Sequence, residues 1–87
     1  MAHRVVIRRS ATRELGALPQ PTRGRVVRAI EALASDPRPT GAKLLSEPGR
    51  RWRLRVGDYR ILYWLDDDRV VVVVVRVRHR SNAYRNL

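Results

Sequence analysis

The sequence predicts a single small α+β domain over residues 1–87, ordered β-α-α-β-β-β, with an αα-hairpin packed on one face of a mostly antiparallel four-stranded sheet. Three observations carry that prediction. Residues 51–78 are rich in Val, Ile, Trp and Tyr and are broken by Gly57-Asp58 and Asp66-Asp67-Asp68, as in three strands joined by tight turns. Residues 11–35 instead carry apolar side chains at helical spacing, interrupted by Pro19 and Pro21. Finally, 87 residues without a cysteine suffice for one core and provide no disulfide or thiolate metal site.

The first strand is Val5-Val6-Ile7 with its arginine flanks. Ser10 is the expected N-cap of a short helix whose stripe is Ala11, Leu15 and Leu18, stopped by Pro19. A second helix opens near Pro21-Thr22 and runs to about Ser35, with Val26, Val27, Ile30, Leu33 and Ala34 on its buried stripe. Arg23, Arg25, Arg28 and Glu31 fall mostly off that stripe and read as a solvated face. Asp36-Pro37 ends the helix. Residues 36–50 hold three prolines and two glycines and read as a connection, with Lys43-Leu44-Leu45 able to pin it to the sheet. The valine run 70–75 is apolar on both parities, which predicts a central strand. The first strand is its natural second neighbour, in an orientation the pattern leaves open.

Parity predicts the register, because directly paired residues share a face. A Gly57-Asp58 loop sets Val56 opposite Tyr59, Arg55 opposite Arg60, Leu54 opposite Ile61 and Trp52 opposite Tyr63. Trp52, Leu54, Val56, Tyr59, Ile61, Tyr63 and Leu65 then form an apolar face for the helices. Arg51, Arg53, Arg55, Arg60, Leu62 and Trp64 form the other. A three-residue second loop, Asp66-Asp67-Asp68, would pair Leu65 with Arg69, Ile61 with Val73 and Arg60 with Val74. Arg76 and Arg78 would thereby join Arg60, whereas an even loop would drive them under the core, where unpaired cations are costly.

Nineteen basic residues against 8 acidic ones leave a formal charge of +11, and all the basic residues except Lys43 are arginine. The codon bias of a GC-rich genome accounts for arginine in place of lysine but not for the excess charge, which points to a polyanionic partner. The row Arg51, Arg53, Arg55, Arg60, Arg76 and Arg78, with Arg80 beyond it and Trp64 and Tyr84 for stacking, suits single-stranded nucleic acid. Taken singly, each arginine is ordinarily a solvated or paired side chain, but the acids are too few to neutralise the row. Histidine is the side chain whose unperturbed pKa lies nearest neutrality, yet parity turns His79 away from Arg78; His3 is expected to be exposed and idle. The longest apolar run is six residues and the first nine lack a signal-peptide core, so a cytoplasmic protein without membrane contact is expected.

The hairpin of residues 52–63, the valine strand, and Arg78-His79-Arg80 followed by Tyr84 together resemble the RelE branch of the RelE/ParE superfamily of type II toxin-antitoxin toxins. The likeness extends to the Ser10-Ala11 helix start, Ser35-Asp36-Pro37-Arg38-Pro39 and Gly41-Ala42-Lys43-Leu44. The resemblance implies a ribosome-dependent endoribonuclease that cuts mRNA in the ribosomal A site by attack of a ribose 2′-OH on the adjacent phosphate, with no metal or cofactor. It implies a cognate acidic antitoxin in a hetero-oligomeric complex. It also implies that Arg51, Arg53, Arg60, Arg78 and Tyr84 are the catalytic set, with arginines at 51 and 53 where the family often has lysines. Arg55, Arg76, Trp64 and Arg80 are the accompanying RNA-binding candidates. Two competing readings stand beside it: a ParE-like toxin acting on DNA gyrase, and a non-catalytic module that binds RNA or antitoxin without cutting.

Overall fold

The computed structural model describes residues 2–45 and 51–82. Its elements are β1 (Arg4–Ile7), α1 (Arg9–Gly16), α2 (Thr22–Ala32), β2 (Lys43–Leu44), β3 (Arg51–Val56), β4 (Tyr59–Asp66) and β5 (Val71–His79), followed by a 3-10 turn over Arg80–Asn82. The strands form one sheet in the order β1-β5-β4-β3-β2. The sheet therefore has five strands where the sequence predicts four. The connection contributes the fifth, because Lys43 pairs with Arg53 and Leu44 with Trp52 at the edge of β3. At the opposite edge β1 runs parallel to β5, with Val6 opposite Val73, which resolves the orientation the pattern left open.

Both helices lie on one face. Ala11, Leu15 and Leu18 from the first helical segment and Val26, Ile30 and Leu33 from the second form one buried cluster with Leu54, Ile61, Tyr63, Leu65, Val72, Val74 and Val77. Each of the larger apolar groups in it contributes roughly 1.5–3 kcal/mol by leaving water. Ser10 does not cap α1 as expected. Arg8 occupies the cap position, while the Ser10 hydroxyl, inside the first turn, donates to the Val75 carbonyl at 2.9 Å and fastens the helix to β5.

Two consecutive departures set the register of β5. Asp66 continues β4 and pairs with Val71, so residues 67–70 make a four-residue turn in place of the predicted Asp66-Asp67-Asp68 loop. The Asp66 carboxylate helps close it by accepting the Arg69 amide at 3.1 Å, and Val70 takes a left-handed φ of 57°. Val72 and Val74 consequently face the helices, inverting the parity expected for the valine run. A bulge then intervenes, because Tyr63 pairs with Val74 and Leu62 with Arg76, leaving Val75 as the extra residue. Beyond it Ile61 faces Val77 and Arg60 faces Arg78, so the two arginines do share the face of Arg60, by a route other than the predicted one.

The β3–β4 hairpin has the predicted register throughout, from Val56 opposite Tyr59 to Trp52 opposite Tyr63. Gly57 at φ 59° supplies the positive dihedral that a tight hairpin turn needs at its first central residue. Tyr63 is fully buried and donates its hydroxyl to the Pro37 carbonyl at 2.9 Å, tying the chain after α2 to the sheet. Burial pushes its phenol from 10.0 up to about 12, a rise that the nearby Arg38 only partly opposes. His3 is half-buried rather than exposed and idle. Its amide donates to the Ala34 carbonyl at 2.7 Å and its Nε2 lies 3.5 Å from the Asp67 carboxylate. Asp67 is itself held below the ordinary carboxylate range, chiefly by its hydrogen bond from Arg38.

A β-branched side chain in the left-handed region costs of order 1–3 kcal/mol. Val70→Gly is therefore expected to raise the thermal midpoint by several degrees, about 4–8 °C per kcal/mol recovered, measured by calorimetry. For Tyr63 the neutral form is favoured in the folded state. Stability is accordingly unaffected below pH ~10 and falls by about 2–3 kcal/mol as pH rises toward the folded pKa. Urea titrations across that window should show the fall in the native chain and its loss in Tyr63→Phe.

Candidate nucleic-acid interface

The face opposite the helices is assembled from four strands. Cross-strand pairing aligns Lys43 with Arg53, Arg53 with Leu62 and Leu62 with Arg76 in one row. It aligns Arg55, Arg60 and Arg78 in a second row, and Arg51 with Trp64 in a third. Every basic residue predicted from 51 to 78 thus sits on a single face, except Arg69 in the turn. Lys43 joins them, a placement the sequence reading missed, although its position one residue before an apolar Leu44 carries the strand parity that would have found it.

Like charges directly opposite one another are destabilising, so the Arg55–Arg60–Arg78 row requires an account. Arg60 is only 8% exposed, and its Nη1 donates to the Tyr59 carbonyl at 3.2 Å and reaches the Gly57 carbonyl at 3.5 Å. The hairpin turn therefore grips the guanidinium through uncharged acceptors, and no carboxylate among the described residues pairs with it. Arg78 and Arg76 are answered by Glu14 of α1. One carboxylate oxygen lies 3.4 Å from both Arg78 Nε and Arg76 Nη1, and the other accepts the Val77 amide at 2.8 Å. Arg78 also donates to the Asn82 carbonyl at 3.3 Å. Nothing in the sequence singles out Glu14 for this role, because the contact joins residues 62–64 positions apart.

Arg53 is half-buried, and its Nη1 is a buried donor without a hydrogen-bond partner among the described residues. Such a donor carries a desolvation cost that an incoming acceptor removes. Arg55 is exposed at the end of its row. Trp64 is flanked by guanidinium groups, with Arg8 at 4.8 Å and Arg51 at 6.0 Å from the ring centroid, within cation–π range. Arg80 is exposed at the start of the 3-10 turn, where its amide donates to the Asp58 carbonyl at 2.7 Å. His79 pairs with Tyr59, on the parity opposite to Arg78 as expected, and meets that ring edge-on at 5.5 Å. Its Nδ1 engages the Ser81 hydroxyl at 3.0 Å, so it serves the start of the turn. Tyr84 lies outside the described residues.

This face offers fixed guanidinium donors at spacings set by a sheet, one amine at its edge and an indole at its end. Such an arrangement can hold successive phosphates and stabilise charge that develops on one of them.

Comparison with known proteins agrees with that architecture. The family model described as the ParE toxin of the type II toxin-antitoxin system parDE matches residues 5–84. The chain is 36% identical to Toxin RelG of Mycobacterium tuberculosis (strain ATCC 25618 / H37Rv) over 86 residues, which is 98% of this chain and 99% of that one. Among solved structures, the toxin-antitoxin complex RelBE2 from Mycobacterium tuberculosis superposes with a TM-score of 0.80 at 32% identity, covering 92% of this chain and all of the matched one. The archaeal RelE-RelB complex from Pyrococcus horikoshii OT3 superposes with a TM-score of 0.83 at 26% identity, covering 95% of this chain and all of the matched one. The sheet order, the arginine face and these relatives lead to one conclusion: the protein belongs to the RelE/ParE superfamily of type II toxin-antitoxin toxins.

Proposed function

We infer that the protein is a ribosome-dependent mRNA endoribonuclease that halts translation and is silenced by a cognate acidic antitoxin. The observation that carries the reading is the direct pairing of Arg60 with Arg78, on the helix-free face, with Arg60 buried and held by turn carbonyls. Preorganised donors of this kind act on charge that appears in the transition state and need no reorganisation when it does. The antitoxin partnership is supported by the solved relatives, which are complexes of toxin with antitoxin. The +11 formal charge favours an acidic partner.

In the proposed reaction the ribose 2′ oxygen forms a bond to the adjacent phosphorus as the bond from phosphorus to the 5′ oxygen breaks. The 2′-OH loses its proton and the departing 5′ oxygen gains one, so the products are a 2′,3′-cyclic phosphate and a 5′-OH with no net change in protons. Arg60 and Arg78 hold the equatorial oxygens of the pentacoordinate phosphorane, Arg51 and Arg53 bind the flanking phosphate, and Tyr84 takes part in proton transfer. Arginine donates hydrogen bonds but is a poor acid or base, so charge stabilisation is the role these side chains fit. Arg55, Arg76, Arg80 and Trp64 guide the strand across the face. The matching family model is described by the ParE toxin, which supports a second reading, inhibition of DNA gyrase.

Induction of the protein alone is expected to stop protein synthesis and to create new 5′ ends in ribosome-bound mRNA. Intact mRNA together with gyrase inhibition would overturn the nuclease reading in favour of the second. Arg60→Ala or Arg78→Ala should each lower cleavage roughly 100- to 1000-fold while the protein remains folded. Glu14→Gln retains an acceptor for the Val77 amide and should reduce cleavage by less than loss of Arg78 itself. Glu14→Ala should in addition lower stability by about 1–3 kcal/mol, because it leaves that amide unpaired. Cleavage assays and urea unfolding on both variants separate the two effects.

A further inference from the structure

At the end of the basic face away from Arg60 and Arg78 lies a cavity of about 260 Å³, lined chiefly by Arg8, Ser10, Arg51, Leu62, Trp64 and Arg76. It forms where the β1–α1 junction meets the bulge of β5. Arg8 is the residue before α1 and reaches the Trp64 ring, Ser10 is anchored on Val75, and Val75 is the residue the bulge displaces. We propose that this cavity is a subsite for one nucleobase of the RNA strand, selecting purines that carry a carbonyl on the edge over purines that carry an amino group there. The proposal rests on the nuclease reading for the identity of the strand and adds a place where one base is read.

Four features favour a base. The volume is below the roughly 300–1000 Å³ of pockets for drug-sized ligands, in keeping with a single ring system. The lining includes the flat, π-bearing Trp64 indole beside the apolar Leu62 side chain. Stacking on such surfaces holds any base. The polar rim consists of Arg8, Arg51 and Arg76, of which Arg8 and Arg51 already lie against the indole, and Arg76 leads back along β5 to Arg78. Guanidinium is a donor without acceptor capacity, and a bidentate arginine matches the O6/N7 edge of guanine, whereas adenine presents an amino donor beside N7. The Ser10 hydroxyl proton is committed to the Val75 carbonyl, so it adds no donor to this preference. The Glu14 carboxylate near Arg76 is shared with Arg78 and the Val77 amide, which leaves the rim net positive. Positive charge here matches the phosphate attached to the base.

The protein holds two tryptophans, both lining the cavity, so Trp52→Phe keeps an aromatic ring at that position and leaves Trp64 as the sole indole reporter. Titrating that protein with GMP should quench Trp64 emission saturably, with GMP bound at least about fivefold more tightly than AMP, while inorganic phosphate leaves the emission unchanged. Arg8→Lys keeps the charge but loses the planar fork, and should bring the GMP and AMP affinities together without altering the thermal midpoint. Equal quenching by the two nucleotides in the unsubstituted rim, quenching by phosphate, or a response to an acidic peptide but to neither nucleotide would each overturn the proposal. The readout requires neither ribosome nor scission. Base stacking in a protein that leaves mRNA intact would retain the subsite and refute the nuclease, and an active nuclease whose Trp64 is indifferent to nucleotides would do the reverse.

Discussion

The pairing of β4 with β5, and the single bulge within it, is the constraint on which the rest of the molecule depends. A strand can present only alternate residues to one side, and β5 must place valines under the helices at one end and arginines away from them at the other. The four-residue turn sets Val72 and Val74 against the core, and the extra residue at Val75 shifts the count so that Val77 stays buried while Arg76 and Arg78 emerge opposite. Without the shift, continued alternation from Val74 would bury Arg76 and Arg78, at a cost the small core could not bear. Bulges concentrate near functional sites because they re-aim side chains in this way.

The opposite face accumulates like charge that burial and backbone carbonyls only contain. Arg60 is fixed by the turn, Arg76 and Arg78 by one glutamate from the first helix, and Arg53 keeps an unmet donor among the described residues. Holding so many like charges on one face gives up some stability. The same glutamate also accepts a backbone amide of β5 beyond the point where β1 ends, so a contact that closes the sheet edge also orients two guanidinium groups. Folding and charge placement are thus coupled at Glu14, and neither role was visible from its position between apolar stripe residues.

Much of the site was legible because it depends on short-range geometry. The hairpin around Gly57 gave its register from loop length and parity alone, and with it the common face of Arg51, Arg53, Arg55, Arg60 and Trp64. The second loop misled the reading because Asp66 is equally good turn chemistry and strand terminus, and because six valines of either parity satisfy an apolar pattern. The edge strand at Lys43–Leu44 was too short for periodicity to reveal, and Ser10 looked like a cap because its hydroxyl could not be seen bonding across to Val75.

The sequence by itself determined the class of fold, the helix stripes, the first hairpin's register and the excess of arginine. Each of these follows from alternation, helical period or composition, properties local to a segment. Tertiary structure decided the parallel docking of β1, the bulge that carries Arg76 and Arg78 to the face of Arg60, the Glu14 bridge, and the cavity where Arg8 meets Trp64. Those depend on which distant segments share space, and no local period records a contact between residues more than fifty positions apart.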